Sequence, residues 1–401
     1  MKRIQKFNKI CIKVAAFIFA AAFAIPGMLL LCGCGRQEEP WREYEITRID
    51  DNYGTYYEVF VYSLCDGDGD GIGDLRGLIS KLDYINDGDD TTHEDLGVDG
   101  IWLMPIMRAE SYHKYDVDDY MSIDPEYGTL EEFDALIKAC NQRKLNVIID
   151  LTLNHTGIEH SWFQTATDYL RSCEKEGREP DEKECSYLNY YNFSKENQDG
   201  YSRLDGTSWY YECRFATNMP DLNLACNELR AEYEKIVSFW IDRGVKGFRL
   251  DAVKEIYTGN TNANVEVLGW FNDMVKCMKP DAYIVGECWT DASTYAKYYA
   301  SGVDSFFDFQ FSAGDGIIAS VAKVSNHSAN AQTYAKRCQN ILERIAQYNP
   351  EGIDAPFYVN HDQNRAAGFY TGENAMAELK MGVALNLMMT GNCFVYYGEE
   401  L

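Results

Sequence analysis

Three carboxylates of the chain stand in short segments whose neighbours suit them for acid–base or nucleophilic chemistry: Asp251, Glu287 and Asp362. Arg249 stands two residues before Asp251, and in an extended strand such residues point to the same face. A guanidinium beside a carboxylate keeps it ionised, as a nucleophile must be. Glu287 has Trp289 close by, and a poorly solvated carboxyl stays protonated, as an acid must be. Cleavage of a glycosidic bond requires such a pair of carboxyl groups.

Two histidines accompany these carboxylates. His155 follows Asp150 by five residues, and His361 directly precedes Asp362. Imidazoles at the rim of a site can hydrogen-bond sugar hydroxyls. A single Asp at the end of a strand is usually a cap or turn residue, but three carboxylates, two histidines and an arginine at successive loops predict one shared site.

The elements that would position these residues alternate along the chain. Short, β-rich apolar runs are separated by longer helical patterns, such as 130–143 and 228–243, which is typical of a parallel α/β fold. Eight strands are predicted, at 57–63, 100–105, 146–151, 246–250, 283–286, 305–309, 357–360 and 393–397. Eight such units predict a (β/α)₈ TIM barrel, in which residues after the strands converge on one mouth.

The domain organisation follows from this pattern. Residues 53–154 and 221–401 are predicted to form the barrel. Residues 155–220 are polar and aromatic without a clear period and are too long for a loop, so we expect a small inserted domain after strand three. The sequence stops just after strand eight, so we expect the final helix and a C-terminal β-domain to be missing.

Four segments resemble, in order, the four signature regions of glycoside hydrolase family thirteen, the α-amylase family. They are DLTLNH at 150–155, GFRLDAVK at 247–254, VGECW at 285–289 and VNHD at 359–362. The segment MPDLN at 219–223 resembles the fifth region of that family. The resemblance implies a TIM-barrel enzyme that hydrolyses glycosidic bonds in α-glucans.

The resemblance also implies a role for each site residue. Asp251 would be the nucleophile of a retaining double displacement, Glu287 the general acid and then base, and Asp362 would stabilise the oxocarbenium-like transition state. The remaining substrate-binding residues would be Arg249, His155, His361, His113 and the stacking platform Tyr115. Relatives often have Gly where this chain has Lys114, a difference that we expect to change the rim of the site.

The linkage is less sharply indicated. Family members that cut α-1,6 bonds tend to carry Val after the nucleophile, whereas this chain has Ala252. Lys254 resembles a basic residue at a leaving-group subsite of amylases, although Glu255 replaces the neighbouring His. These residues favour α-1,4 cleavage of starch-like glucans. The alternatives are an α-glucosidase, oligo-1,6-glucosidase or transglycosylase and, more remotely, a non-catalytic sugar-binding or chaperone homologue.

The segment DGDGDGIGD at 66–74 predicts a calcium site. Alternating Asp and Gly residues can wrap a hard cation in oxygens. The predicted ligands are Asp66, Asp68, Asp70, Asp74 and the carbonyl of Ile72. The loop is not an EF-hand, because Gly77 stands where the twelfth-position Glu would be and a strand precedes the loop. A solvated acidic turn is the alternative.

The N-terminus predicts export. A basic start is followed by an apolar run from 14 to 31 and then by LCGC at 31–34, which resembles a bacterial lipoprotein signal. Residues 1–33 would be removed, Cys34 would carry the lipid, and residues 34–52 would tether the enzyme to the cell surface. A plain transmembrane anchor is the alternative. Export permits disulfides, with Cys173 and Cys185 the first pair to test, although free thiols are equally compatible.

The charge of the chain limits its partners. The formal net charge of -26 argues against nucleic acid and anionic membrane surfaces, which are both polyanionic. A neutral substrate or a cation is compatible with this charge. The expected partners are therefore an α-glucan or malto-oligosaccharide, calcium, and the membrane through the N-terminal lipid alone.

Overall fold

The computed structural model describes residues 53–325 and 329–401. The predicted signal segment 1–33, the tether 34–52 and the lipidation site Cys34 lie outside the described residues. Among the described residues, no helix combines the length and the apolar character that a membrane span requires.

Eight parallel strands form one sheet and confirm the predicted barrel. They are β1 (Thr55–Val59), β2 (Gly100–Leu103), β3 (Asn146–Leu151), β4 (Gly247–Leu250), β5 (Tyr283–Gly286), β6 (Ser305–Phe307), β7 (Ile353–Ala355) and β8 (Cys393–Tyr396). Their order in the sheet is β7-β6-β5-β4-β3-β2-β1-β8. Strands β3 and β5 have the predicted bounds. Strand β1 ends earlier than predicted, because residues Val61–Leu64 turn into a short helix.

The prediction for strand seven was wrong. It placed the strand at 357–360, but β7 spans Ile353–Ala355 and is followed by Pro356. Proline has no N–H group to donate to a ladder, so regular pairing stops there. The barrel closes instead through a single parallel bridge between Phe357 and Phe394 and through the Phe394 N–H, which donates to the Pro356 carbonyl at 2.9 Å.

Helices separate successive barrel strands. They are Val61–Leu64, Leu75–Ser80, Leu82–Ile85, Leu130–Gln142, Ser161–Glu176, Asn227–Asp242, Thr261–Met278, Ala292–Tyr298, Ile317–Ala322, Ala331–Tyr348 and Ala375–Leu387, with 3₁₀ turns at Ser186–Tyr190, Tyr299–Ser301 and Ala366–Phe369. The helix Leu130–Gln142 begins with a capping box in which Thr129 and Glu132 exchange hydrogen bonds. The helix Asn227–Asp242 confirms the helical pattern at 228–243 and buries Tyr233, Ile236 and Trp240 on one face.

An apolar cluster occupies the inside of the barrel, and a layer of charged side chains follows it. The cluster consists of Tyr56, Trp102, Ile148, Val285, Phe307, Ala355, Phe357 and Phe394. Side chains alternate along a strand, so residues two positions further on share the inner face. On β1, β3 and the end of β5 these are Glu58, Asp150 and Glu287. The barrel therefore presents buried carboxylates directly above its apolar filling.

The chain makes a long excursion between β3 and β4, in the region where a small inserted domain was predicted. It contains the helix Ser161–Glu176 and an antiparallel sheet of Phe193–Ser194, Tyr201–Arg203 and Tyr210–Glu212. The excursion is tied together where it leaves and returns. His155 and Asp221 form an antiparallel bridge, and the Leu222 N–H donates to the Asn154 carbonyl at 2.7 Å.

The disulfide considered for this domain is not formed in the structure. Cys173 and Cys185 are both buried, and both are free thiols. The open alternative of free buried cysteines therefore describes this pair.

Candidate active site

A cleft of about 330 Å³ opens at the ends of the barrel strands. The predicted site residues that line it are His113, Tyr115, His155, Asp251, Glu287, His361 and Asp362. Ala252 and aromatic and thioether side chains complete its walls; the latter are Phe60, Met104, Tyr112, Phe215, Met219 and Tyr396. The structure thus gathers the three predicted catalytic carboxylates around one space.

Arg249 lies beneath this cleft and organises it. Its side chain is fully buried, and the guanidinium lies 5.0 Å from the ring centroid of Trp102. Nη1 donates to Asp251 Oδ1 at 2.5 Å and to Asp150 Oδ1 at 3.0 Å, while Nη2 donates to Glu287 Oε2 at 2.7 Å. One cation therefore holds three carboxylates, and such charge-assisted bonds are strong where water is excluded.

Glu287 occupies a setting that suits a proton donor. Burial raises the pKa of Glu287, Arg249 opposes that effect, and the nearby Asp251 raises the pKa further. Its Oε2 also accepts a hydrogen bond from the Ala252 N–H at 3.2 Å. Ala252 has a φ of 44°, in the left-handed region that non-glycine residues seldom adopt. This strained residue turns its N–H towards the acid.

Tyr115 joins two sides of the cleft. Its hydroxyl donates to Asp150 Oδ2 at 3.0 Å and lies 2.9 Å from His361 Nε2. The rings of Tyr115 and His361 are stacked, with centroids 5.6 Å apart. Asp150 is fully buried, and burial raises its pKa to about 7 although Arg249 opposes the shift. Tyr115 is therefore a fixed wall of the cleft.

The other histidines present nitrogen atoms to the cleft. Burial lowers the pKa of His155 to about 4, so its imidazole is neutral at ordinary pH. Its Nδ1 lies 3.4 Å from Asn154 Nδ2, and a hydrogen bond with the Tyr115 backbone partly opposes the effect of burial on its pKa. The ring is thus held by its neighbours at one side of the cleft. His113 is held by Ser111, whose Oγ lies 3.0 Å from Nδ1.

Two lysines that the sequence singled out lie outside the cleft. Lys254 is paired with Glu255 at 2.8 Å and is not among the described residues that line the cleft, so its role at a leaving-group subsite stays a prediction. Lys114 is buried, with its Nζ 3.0 Å from Asp124 and 2.5 Å from Glu126. The expectation that Lys114 alters the rim was therefore wrong. Its φ of 62° places the backbone where glycine is favoured.

The acidic loop brings together three of the predicted metal ligands. Carboxylate oxygens of Asp66, Asp68 and Asp74 all lie within 4.8 Å of one another. Asp70 is not part of this group, and its Oδ1 accepts the Ile72 N–H at 2.8 Å. The Ile72 carbonyl stays a prediction. Three hard oxygen donors at this spacing fit a divalent cation of the calcium type.

The backbone of this loop is already wrapped around Asp66. The carboxylate of Asp66 accepts N–H groups from Gly69 at 2.6 Å and Gly71 at 2.9 Å, and these bonds lower its pKa. Both glycines have a positive φ, 91° and 97°, which a side chain would disfavour. The glycines that alternate with the aspartates therefore permit the turn that gathers the carboxylates.

Sequence reasoning gave no role to some residues that the structure places at the site. Asp150 was quoted in a motif only, and Phe60 and Phe215 were not singled out, although both line the cleft. Glu58 was also missed. Its only signal was a single acidic residue within the otherwise uncharged run TYYEVF at 55–60.

Comparison with known proteins agrees with this geometry. The family model "Alpha amylase, catalytic domain" matches residues 58–401, which include every barrel strand except the start of β1. The chain belongs to the α-amylase family. Among solved structures, Eubacterium rectale Amy13B superposes on this family member with a TM-score of 0.82 and 52% identity, over 88% of this chain and 66% of that chain.

Curated relatives of this α-amylase-family chain carry different activity names. Alpha-amylase 3 of Dictyoglomus thermophilum is 38% identical over 90% of this chain and 65% of the relative. Glucan 1,6-alpha-glucosidase of Streptococcus pneumoniae is 29% identical over 86% of this chain and 64% of the relative. The chain thus spans slightly less than two thirds of the length of these relatives.

Proposed function

We propose that the protein is a retaining glycoside hydrolase that cleaves α-1,4-glucosidic bonds in starch-like glucans. The observation that carries this proposal is the buried Arg249, whose two terminal nitrogens hold Asp251 and Glu287 on either side. In retaining enzymes the two carboxyl groups lie closer together than in inverting ones, which must leave room for a water molecule. A shared guanidinium favours the closer arrangement.

The proposed reaction divides the work between these carboxylates. Asp251 attacks the anomeric carbon while Glu287 gives its proton to the leaving glycosidic oxygen. This forms a covalent glycosyl-enzyme and releases one part of the glucan. Glu287 then takes a proton from water, which attacks the anomeric carbon and releases Asp251. Asp362, which also lines the cleft, would stabilise the positive charge that develops on the sugar ring.

The side chains that hold the sugar are also available. His155 and Tyr115 both line the cleft beside the carboxylates, and Tyr115 offers an aromatic ring there. Flat aromatic faces suit sugar rings, because the ring is apolar on its face and polar at its edge. Phe60, Tyr112 and Phe215 extend the aromatic lining of the cleft.

Two observations support cleavage of α-1,4 rather than α-1,6 linkages. The relative named an alpha-amylase is more similar to this chain than the relative named a 1,6-alpha-glucosidase, at 38% against 29% identity. Ala252 has a positive φ, which a β-branched Val would adopt only with strain. Lys254 is paired with Glu255 and does not contribute to the argument for α-1,4 cleavage. An α-glucosidase or oligo-1,6-glucosidase that uses the same residues is the second candidate.

A product profile tests the proposal. We expect the full-length protein to convert starch into malto-oligosaccharides whose new reducing ends are initially in the α-configuration, and to leave isomaltose uncut. Proton NMR of the anomeric signals during the first turnovers measures both. Initial release of β-anomers would overturn the retaining mechanism, and faster cleavage of isomaltose than of maltotriose would favour the second candidate. An absence of any hydrolysis would favour a non-catalytic homologue.

We further propose that the three-carboxylate loop binds calcium. The ion would be held by Asp66, Asp68 and Asp74 and would tie the loop to the helix Leu75–Ser80, which Asp74 caps through the Gly77 N–H at 2.7 Å. Its role would be structural. It would neutralise acidic groups that otherwise repel one another.

Removal of calcium is therefore expected to lower the melting temperature. A ligand at about 100 times its dissociation constant stabilises the folded state by about 2.7 kcal/mol, or very roughly 5 °C in a chain of this size. Differential scanning calorimetry with a chelator and then with excess calcium measures the shift. Asp68→Asn should reduce the shift in melting temperature that calcium causes. Asp70→Asn, a matched change outside the three-carboxylate group, should leave that shift unchanged. An unchanged melting temperature under chelation would remove the site.

We also propose that the enzyme works outside the cell as a lipoprotein attached through Cys34, a residue of the LCGC segment. A polymeric glucan is too large to enter a cell, so a surface location suits the proposed substrate. Metabolic labelling with a fatty-acid analogue should mark the wild type and not Cys34→Ser. Labelling of both would exclude Cys34 as the lipidated residue.

A further inference from the structure

Glu58 is a buried carboxylate that the proposed reaction does not use. It lies on β1 with 1% of its surface exposed, on the inner face of the barrel. Its Oε1 lies 2.6 Å from His361 Nδ1 and 3.4 Å from the His361 backbone N. This is a direct contact between β1 and the loop after β7, residues 303 apart in sequence. The carboxylate of Glu58 therefore accepts hydrogen bonds from both the ring and the backbone of His361.

The hydrogen bonds around His361 specify how many protons it carries. The carboxylate of Glu58 is an acceptor, so Nδ1 must carry a proton to donate. At the other side of the ring, Nε2 lies 2.9 Å from the Tyr115 hydroxyl, whose single proton is donated to Asp150. That hydroxyl also accepts from Arg249 Nη1 at 3.4 Å. When Asp150 is ionised, Nε2 therefore donates to the hydroxyl as well.

A second contact leads to the same result. Nε2 of His361 lies 3.3 Å from Asp362 Oδ2. An unprotonated Nε2 would place its lone pair against that of a carboxylate oxygen, whereas a protonated one attracts it. Both nitrogens of the ring are then donors, and the ring carries a positive charge.

We propose that Glu58 is a positioning residue that holds His361 as a doubly protonated imidazolium, oriented towards Asp362 and the sugar in the cleft. The ring can donate from Nε2 to Asp362, Tyr115 or a sugar hydroxyl without changing its orientation. This adjusts the electrostatics of the subsite in which Asp362 acts. The kinetic part of this inference rests on the proposed hydrolysis, and the ionisation part does not.

The charged groups around His361 are Glu58, Asp362, Asp150, Glu287 and Arg249, and their effects oppose one another. Burial lowers its pKa, but the hydrogen bond and charge of Glu58 together with the charge of Asp362 raise it above its ordinary value. Arg249 opposes them. His113 faces the same space and is itself made less basic by burial. With both Glu58 and Asp362 in place, the imidazolium persists to higher pH than that of a solvated histidine.

Histidine NMR tests the ionisation directly, without requiring catalysis. The chain contains 6 histidines, so ¹⁵N-histidine labelling gives few signals, and the loss of one signal in His361→Asn assigns that residue. We expect His361 in the wild type to titrate above its ordinary range, and Glu58→Gln to lower its pKa by about one unit or more. Asp354→Asn removes another buried carboxylate, on β7, and should leave the His361 titration unchanged.

Kinetics then test the functional part. Glu58→Gln should lower kcat/KM by about tenfold, which corresponds to a loss of about 1.4 kcal/mol of transition-state stabilisation. The ratio of wild type to variant should be smallest in acid, where both imidazoles are protonated, and should grow as the pH rises between the two pKa values. Glu58→Asp keeps the negative charge at a longer distance from His361. Its kcat/KM should lie between that of the wild type and that of Glu58→Gln. A merely structural defect would lower activity by the same factor at every pH.

The outcomes are separable. A His361 that is neutral in the wild type below pH 6.5, its ordinary pKa, overturns the inference even if Glu58→Gln does not fold. An unchanged His361 pKa in a folded Glu58→Gln variant also overturns it. A wild type that titrates as expected but hydrolyses no glucan leaves the ionisation result standing and overturns the proposed function instead. A pH-independent kinetic ratio removes the catalytic consequence of Glu58.

Discussion

Asp251→Asn is expected to lower the turnover of starch by about 10⁴-fold or more, because an amide does not form the glycosyl-enzyme. The fold should survive, since asparagine keeps the shape of the side chain and an oxygen that still accepts from Arg249 Nη1. Asp150 and Glu287 continue to balance the charge of that arginine. The measurement is initial-rate release of reducing ends from starch, accompanied by the melting temperature of each variant.

Asp291→Asn is the matched control for this change. Asp291 caps the helix Ala292–Tyr298 and is not among the described residues that line the cleft, and asparagine caps helices equally well. Its activity should equal that of the wild type. If Asp251→Asn kept more than about one hundredth of the wild-type rate, Asp251 would not be the nucleophile and the assignment of the double displacement would be wrong.

Arg249→Leu should produce the largest loss of stability of any single substitution in the cleft. Removing one partner of a buried ion pair leaves uncompensated charge in a poorly solvated place, which costs about 3–5 kcal/mol. Here the fully buried Asp150 would lose its cation, and Asp251 and Glu287 would lose theirs. The expected fall in melting temperature is roughly 10 °C at neutral pH. Hydrolysis should also stop, because the carboxylates lose their common anchor.

This loss should depend on pH in a defined direction. Burial already raises the pKa of Asp150 to about 7 with Arg249 present, and removal of the arginine raises it further. A carboxyl whose folded-state pKa exceeds its unfolded value favours folding when protonated, and that contribution disappears as the pH rises through the folded-state pKa. Arg249→Leu should therefore be closest to the wild type in melting temperature near pH 5 and furthest from it near pH 8.

Arg171→Leu provides the control for the loss of an arginine from an ion pair. Arg171 pairs with Asp168 at the surface, at 2.9 Å, with both side chains largely exposed. Solvent screens such pairs, so the melting temperature should change by no more than about 2 °C at either pH. Equal effects of Arg249→Leu and Arg171→Leu would show that the buried network contributes little to the stability of the barrel.

The barrel and its principal site were predictable because their signals are local in the sequence. The runs at 146–151 and 283–286 are short and apolar with clear ends, and both became strands with those bounds. Asp251 and Glu287 come directly after two such runs in the sequence. Strand seven was misplaced because the run at 357–360 is apolar as well, whereas the ladder ends before Pro356. A hydrophobic pattern does not show that Pro356 lacks the N–H group which regular strand pairing needs.

Features that depend on distant contacts were not predictable. Glu58 meets His361 only after the barrel closes, and the spacing in the sequence gives no indication of this. Lys114 was expected at the rim because the residues around it belong to the site, yet its partners Asp124 and Glu126 lie further along the chain. The acidic loop was found from its composition, but only the folded backbone separates Asp70 from the other three aspartates.

The bridge between His155 and Asp221 has a consequence for how such a molecule can change over evolution. The excursion returns to the point at which it left, so its length adds little to the cost of closing it. It nevertheless supplies Phe215 and Met219 to one wall of the cleft, while Asp251, Glu287 and Asp362 come from the barrel. The wall of the cleft that the excursion supplies can therefore change in sequence and length without changing the barrel. We expect substitutions there to change the preference for chain length or branching while the proposed catalytic carboxylates stay in place.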